Sequence, residues 1–490
     1  MRARNSSERV NAADVVVVGG GASGLAAAIE AAAAGASVLV LEKNPVPGGS
    51  SRLSVGSINA AGSRLQQRAG IVDTPDEHFE DMDHFMGPFA SQENRALRRL
   101  LVDNAADTLH WLMSLGLSFY GPTADPPHRH PRMHNVLPNS RAYPYYLSKA
   151  AKRRGARVVC GAEVLELLRA DDGGVCGVAA LVGGERVEIA ARRGVILCAG
   201  DYSNGAALKA RFRPELAAIQ GVNPTATGDG HRLAEAIGAR IVNGEVVYGP
   251  GLRFGAPPKP SLVQRLPPSW ALGQLMAAAL ATLPPALFRP FVMSFMTASL
   301  GPEAALLKSG AVLVNRDGQR FVDEQQAPGL AIASQPGGQA WLVFDDALAR
   351  RFSAPPHHVS TAPGVAFAYL PDYRRHRRDL YRTGATPAEL AIAMGLPDGA
   401  LARTLQECRW QSPLHALGPL EARIVITDGG LAVNTSHQVL REDDSVIPRL
   451  YAAGSVGQGG VLLAGNGHHI CWAVTSGRRA GRFAAAAAAA

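Results

Sequence analysis

Asp14-Val15-Val16-Val17-Val18 is a short β-branched run that stops at Gly19-Gly20-Gly21-Ala22-Ser23-Gly24 and passes at once into an Ala-rich helical stretch, Leu25 to Ala34. A second apolar run, Ser37 to Leu41, ends at Glu42. Strand, glycine turn, helix, strand and acidic residue in that order are the pattern of a dinucleotide-binding βαβ unit, and no other feature constrains the fold as strongly. Gly19 permits the tight turn, Gly21 lets the backbone approach a pyrophosphate, and Gly24 lets helix and strand pack closely. The helix N-terminus offers N–H groups and partial positive charge to phosphates. Glu42 is placed to accept hydrogen bonds from a ribose diol.

Charge and cysteine usage exclude several alternatives. The 490 residues carry 49 Lys and Arg against 41 Asp and Glu, a net charge of +8. The densest basic run, Arg374-Arg375-His376-Arg377-Arg378, is short and isolated, which reads as a solvated face and not as a nucleic-acid site. Cys160, Cys176, Cys198, Cys408 and Cys471 form no CxxC and no ligand cluster, so no metal centre is expected and the thiols read as reduced, in a cytoplasmic protein. Met1 to Ala13 is polar and lacks the apolar core of a secretory signal. The abundance of Ala and Gly suits tightly packed helices. Ala484 to Ala490 reads as a low-complexity tail outside the fold.

The residues after Glu42 separate the dinucleotides. Pro47-Gly48-Gly49-Ser50-Ser51-Arg52-Leu53-Ser54, followed by Gly56-Ser57-Ile58-Asn59-Ala60-Ala61-Gly62, resembles the flavoproteins of the fumarate reductase, succinate dehydrogenase and 3-ketosteroid dehydrogenase group. Four further blocks resemble that group in order: Val195 to Gly200, Thr225 to Gly230, Gly429 to Asn434 and Leu450 to Gly454. The resemblance implies an α/β fold, a Rossmann-like FAD-binding domain of the GR2 type with an inserted α+β capping domain. It divides the chain into FAD-binding parts at 1–242 and 422–483 and a cap at 243–421. It assigns FAD contacts to Gly19, Gly21, Ala22, Ser23, Gly24, Glu42, Lys43, Gly48, Gly49, Ser50, Ser51, Ser54, Gly56, Val164, Ala199, Gly200, Asp229, Gly454, Ser455, Asn466 and Ile470. No His stands beside Ser51 and Arg52 where succinate dehydrogenases attach the cofactor, so non-covalent FAD is implied. The usual acidic residue after Ala452-Ala453-Gly454 is Ser455 here.

The catalytic set departs further from the group. The cap motif Asn315 to Glu324 matches, but Gln325-Gln326-Ala327-Pro328 follows where a proton-donating Arg is expected. Gly460 to Gly467 carries no Arg, and the late His positions hold Val425 and Ile426. A dicarboxylate would lack its cations. Gly467 retains the group's ketone-binding backbone position, although Leu463 stands where the ketosteroid dehydrogenases have Tyr. His468 and His469 open the C-terminal helix, and they join Tyr143 and Gly467 as the catalytic candidates. His134, Arg141, Tyr143 and Tyr145 are expected in a loop before a helix over Leu147 to Arg154. Glu324 reads as a structural partner of Arg320.

Trp270 to Phe288 contains no charged residue, and Leu272, Leu275, Met276, Ala279, Leu280 and Leu283 recur at helical spacing. Pro284 and Pro285 break the run before a membrane-spanning length of about 20 residues. A buried cap helix is the first reading, and a peripheral membrane contact or apolar substrate mouth through 268–302 the second. The resemblance thus implies an FAD-dependent dehydrogenase or ene-reductase acting on a CH–CH bond beside the carbonyl of an apolar, steroid-like ketone. A reductase of a small unsaturated carboxylate using Arg141 or Arg52, and a catalytically decayed flavin-binding partner, stay open. No second GxGxxG follows a strand, so a separate electron carrier or a quinone is the expected redox partner.

Overall fold

β1 (Ala12–Val18), α1 (Ala22–Ala33) and β2 (Val38–Glu42) form the expected βαβ unit in the computed structural model. The structure describes residues 11–257, 265–284, 287, 289, 292–293, 297, 300–362, 366–406 and 410–489. β1 and β2 pair in parallel, Val15 with Val38 through Val18 with Leu41. On its other edge β1 pairs in parallel with β9 (Glu185–Leu197), β2 continues in parallel to β6 (Arg157–Cys160), and β22 (Val446–Ala452) lies parallel to β9. Helices cover such a sheet on its faces, and the runs Val15 to Val18 and Val38 to Leu41 are therefore buried throughout rather than alternating. β7 (Ala162–Arg169) and β8 (Val175–Val182) extend β9 as antiparallel strands, and β21 (Gln438–Leu440) closes the opposite edge.

The C-terminal helix α8 (His468–Ala486) lies against α1 with backbone on backbone. A Cβ at Gly477 would overlap the Ser23 carbonyl, one at Gly481 the Ala27 carbonyl, and one at Gly24 the Gly19 carbonyl. The small-residue bias of the sequence is used here. The helix also runs further than expected: Ala484 and Ala485 are buried in its last turn, because the apolar methyls extend the buried face and Arg193 bonds the Ala485 carbonyl. The tail excluded at the sequence level thus begins two residues or so after that turn.

A second sheet is antiparallel, in the order β12 (Gly251–Phe254), β18 (Leu414–Arg423), β14 (Gln339–Phe344) and β13 (Val312–Val314), with β17 (Tyr381–Gly384) also on β18. It has its own apolar core, which includes Phe254, Leu313, Leu342, Phe344, Leu417 and Leu420. Two short pairs join it to the first sheet's layer: β10 (Ile241–Val242) with β20 (Gly430–Leu431), and β11 (Val247–Tyr248) with β19 (Ile426–Thr427). Glu324 accepts from Arg320 Nε at 3.0 Å and from the Leu313 N–H at 2.9 Å, the structural position read from the sequence.

The third sheet, β3 (Ser57–Asn59), β5 (Met133–Leu137) and β4 (Ser118–Thr123), corrects two expectations. His134 lies in β5, and Tyr143 and Tyr145 lie in α4 (Ala142–Arg153), not in a loop. Pro144 sits in the first turn of that helix, where a missing N–H costs nothing. The apolar stretch forms α6 (Trp270–Thr282) along β4, but Gly273 is its one buried residue. Leu272, Met276, Ala277, Ala279 and Leu280 are half-buried and the other residues exposed, so the buried-helix reading is met along one side only.

Two predictions follow from this packing. Gly477→Ala destabilises the protein by about 1–3 kcal/mol or more, because the added methyl meets backbone that cannot move aside; a thermal melt reads it, and an unchanged Tm contradicts the contact. Asp201, buried between β9 and β19, accepts from Thr427 N–H and Ser203 Oγ at 3.1 Å each. Burial pushes its carboxyl up from the ordinary 3.8 to about 6 against those hydrogen bonds. The folded state thus holds a proton that the unfolded state has lost over that interval, and this group's stabilising contribution falls as pH rises from about 4 to about 6. Asp201→Asn removes that loss, so the variant's Tm relative to wild type climbs across the window and levels off above it.

Candidate functional site

A cleft opens at the C-terminal ends of β1, β2 and β9, the place where doubly wound sheets bind ligands. Gly19, Gly21, Ala22 and Ser23 line its first wall, Glu42, Lys43 and Asn44 its second, and Cys198, Ala199 and Gly200 its floor. Gly49, Ser50 and Ser51 of α2 (Gly49–Leu53), Ala162 to Val164, Asn223 to Asp229 and Ser455 complete it.

The backbone here suits a dinucleotide. Gly21 caps α1 without a side-chain cap, the Ala22 N–H reaches Ser51 Oγ at 3.4 Å, and a Cβ built on Gly21 meets nothing within 4 Å. Gly200, at φ +81°, faces equally open space. Two stretches of bare backbone therefore look onto the cleft beside a helix N-terminus, the arrangement that receives a pyrophosphate. Glu42 braces the turn: it accepts from the Gly20 N–H at 2.7 Å, the Asn44 N–H at 2.8 Å and Asn44 Nδ2 at 2.7 Å. A carboxylate has about four acceptor sites, which leaves one for a ligand hydroxyl. Lys43 Nζ reaches Thr227 Oγ1 at 2.7 Å and Asp229 Oδ2 at 2.6 Å, tying β2 to α5 (Asp229–Glu235). Burial would raise the Asp229 carboxyl, but Lys43 and Arg232 hold it below the usual range.

Fourteen of the sequence-assigned FAD positions line this cleft: Gly19, Gly21, Ala22, Ser23, Glu42, Lys43, Gly49, Ser50, Ser51, Val164, Ala199, Gly200, Asp229 and Ser455. Gly24, Gly48, Ser54, Gly56, Gly454, Asn466 and Ile470 stand outside it. Gly24 packs on the turn, Ser54 Oγ bonds the Ser51 carbonyl, and the Gly454 N–H bonds Ser476 Oγ. Asn466 is held by Asp125 through Nδ2 at 2.9 Å. Asn44, Glu163 and Asn223 line the cleft without having been singled out. Asn44 stands two residues after Glu42, a signal the sequence did contain; Asn223 Nδ2 donates to Ser50 Oγ at 2.9 Å across a long chain separation, which it did not.

The catalytic candidates are sorted by burial. Tyr143 is fully buried, its hydroxyl donates to the Gly56 carbonyl at 2.9 Å, and burial pushes its pKa well up. It braces the glycine segment. His468 is turned inward: Nδ1 donates to the Ala464 carbonyl at 2.7 Å, Nε2 lies 3.1 Å from His78 Nε2, and burial lowers its pKa to about 4. His134 is buried against Ser63 Oγ at 3.0 Å. His469 alone of this group is partly exposed at the mouth of α8, and its Nε2 donates to Asp428 Oδ1 at 2.7 Å. Asp428 is fully buried and also accepts from Tyr248 Oη at 2.7 Å and the Leu463 N–H at 2.9 Å. Burial favours its neutral form, yet His469 and these donors keep it below the usual carboxylate range. Asp428 and Tyr248 were not singled out from the sequence. Gly467 caps α8 at φ +87°, where a Cβ would crowd the Asn59 N–H.

Residues 14–265 and 269–467 match the FAD binding domain family. A probable fumarate reductase of Shewanella frigidimarina is 29% identical over 96% of this chain and 74% of its own length. The open conformation of a flavocytochrome c3 fumarate reductase superposes with a TM-score of 0.73 at 26% identity, over 97% of this chain and 78% of that one. The 3-ketosteroid-Δ4-(5α)-dehydrogenase of Rhodococcus jostii RHA1 shares the fold, with a TM-score of 0.63 at 24% identity over 99% of both chains. With a glycine-lined cleft at the strand ends and a family match that spans both sheets, the chain belongs to the FAD binding domain family and is an FAD-dependent oxidoreductase.

Proposed function

We propose that the protein interconverts a CH–CH bond and a C=C bond beside the carbonyl of an apolar substrate, in a site closed between the FAD-binding parts and a cap at residues 243–421. The supporting observation is Asp428, a buried carboxylate that holds His469 and Tyr248 at 2.7 Å each, where the surrounding positions 425, 426, 463 and 464 carry Val, Ile, Leu and Ala. None of those four positions carries a guanidinium, so they suit a neutral carbonyl better than a dicarboxylate.

Bound FAD supplies hydride exchange with the β carbon. His469 exchanges the proton of the α carbon: Asp428 fixes the Nε2–H tautomer, which leaves Nδ1 as the base in dehydrogenation and, once protonated, as the acid in reduction. The Gly467 N–H, at the N-terminus of α8, receives the carbonyl oxygen as negative charge develops on it. Tyr248 lies in β11, beside the start of the cap, and its hydrogen bond to Asp428 orients the carboxylate. Electrons pass to or from a separate carrier or a quinone. Reduction of a small unsaturated carboxylate is the second reading: the Shewanella relative is named a fumarate reductase, and the exposed Arg52 and Arg141 would take the place of the missing arginines.

Anaerobic addition of cyclic ketones and 3-ketosteroids bleaches the oxidised flavin band at about 450 nm, whereas succinate does not; bleaching by succinate alone moves the assignment to the carboxylate reading. With an accepted ketone, His469→Ala lowers kcat by roughly 10²- to 10⁴-fold while flavin content stays at the wild-type level. Asp428→Asn lowers kcat in the same direction with KM little changed, since it disturbs the tautomer and not the pocket. Full turnover in the His469→Ala enzyme contradicts the proton role.

A further inference from the structure

α6 is packed along one side only: Gly273 is buried, Leu272, Met276, Ala277, Ala279 and Leu280 are half-buried, and the other residues are exposed. Gly273 seats it on Ser118 of β4, and Gln274 Nε2 donates to Ser118 Oγ at 2.9 Å. Away from that side large apolar side chains project outward: Trp270 is 58% exposed, Leu275 67% and, just after the helix, Leu283 47%. Just beyond the helix Leu287 is 61% exposed. A helix with apolar residues all round is stable in water only when something covers it. Thirteen residues are too few to cross a bilayer, which takes about 20. Among the described residues no helix is long and apolar enough to do so.

The charge beside the helix indicates what covers it. No Asp or Glu occurs in the sequence between Glu245 and Glu303. Arg289, which follows the apolar stretch, pairs with Asp372 at 2.5 Å and lies over the Tyr369 ring, so the stretch meets α7 (Leu370–His376). That helix begins the basic run singled out in the sequence. Arg374, Arg375 and Arg378 are exposed there, and Arg289 Nη1 also donates to the carbonyl of Phe367, itself 48% exposed. Arg289 thus links the end of the apolar stretch to the helix that carries the first arginines of the basic run. A helix lying in the headgroup layer has its free sides covered at once, Trp suits that boundary, and the arginines meet anionic headgroups. A protein groove would cover one stripe only.

We infer that α6, with the exposed arginines of residues 374–378, docks the protein on the surface of an anionic lipid bilayer. The surface is separate from the cofactor cleft, and the inference stands whether or not the proposed substrate is right.

Co-sedimentation of the FAD-loaded protein with phosphatidylcholine vesicles, with and without phosphatidylglycerol, tests it. The wild type pellets with the phosphatidylglycerol vesicles, more weakly with phosphatidylcholine alone, and less as salt rises. Leu275→Glu and Leu283→Glu each weaken partition by at least about ten-fold while the flavin spectrum is unchanged, and Arg374→Glu with Arg375→Glu removes the preference for phosphatidylglycerol. A wild type that stays in the supernatant, or a Leu275→Glu variant that pellets as before, overturns the inference. So does a soluble dimer that Leu275→Glu converts to monomer without any vesicle binding, since a second copy of the chain would then be what covers the helix.

Discussion

The contact of α1 with α8 is made by backbone, and the rest of the site depends on it. Gly477 and Gly481 admit the Ser23 and Ala27 carbonyls where any larger residue would hold the helices apart. Gly24 does the same between α1 and the Gly19 turn. Dispersion gained at such short range is lost within an ångström of separation. The consequence is positional: α1 starts at the phosphate end of the cleft, while α8 carries Ala473 along its wall and starts at Gly467 and His469. The cofactor cleft and the proposed proton-transfer group are positioned by one packing contact.

Asp428 is the second constraint. A carboxylate with no exposure is costly unless every lone pair finds a donor, and here His469, Tyr248 and the Leu463 N–H supply them. The three donors come from α8, from the first strand pair of the cap side and from the loop before α8. A group that ties these elements together also fixes the one exposed imidazole among the candidates. The polarity of the mouth is therefore concentrated in one directed hydrogen-bonded group, with Val425, Ile426 and Leu463 around it, instead of in the cations that a charged substrate needs.

Local sequence placed Gly19, Gly21, Glu42, Gly49 and Gly200 on one cleft; they sit there through their own backbone or their immediate neighbours, so spacing reveals them. The proposed proton-transfer group was legible only in part. His468 and His469 are adjacent letters, but about 100° of helical rotation sends the first into a buried cluster with His78 and leaves the second at the mouth. Asp428 and His469 lie 41 residues apart, and Asp428 hides inside the glycine motif that follows it. Tyr143 looked catalytic because a phenol near the glycine segment is chemically apt; only the fold shows its hydroxyl spent on Gly56. The helix α6 was misread for a different reason. Its periodicity is the same for a helix buried on all of its apolar positions and for one packed along a single side, and the distinction lies in the tertiary contacts, here Gly273 and Gln274 on Ser118 of β4.

The most direct test is the distance from His469 Nδ1 to the α carbon of a bound ketone in a crystal structure of the FAD complex. We expect it at about 3–3.5 Å, the range of a near-attack geometry, with the Asp428–His469 hydrogen bond intact and the ketone oxygen on the Gly467 N–H. A ketone bound elsewhere, or a His469 ring released from Asp428 and turned away from the α carbon, contradicts the assignment.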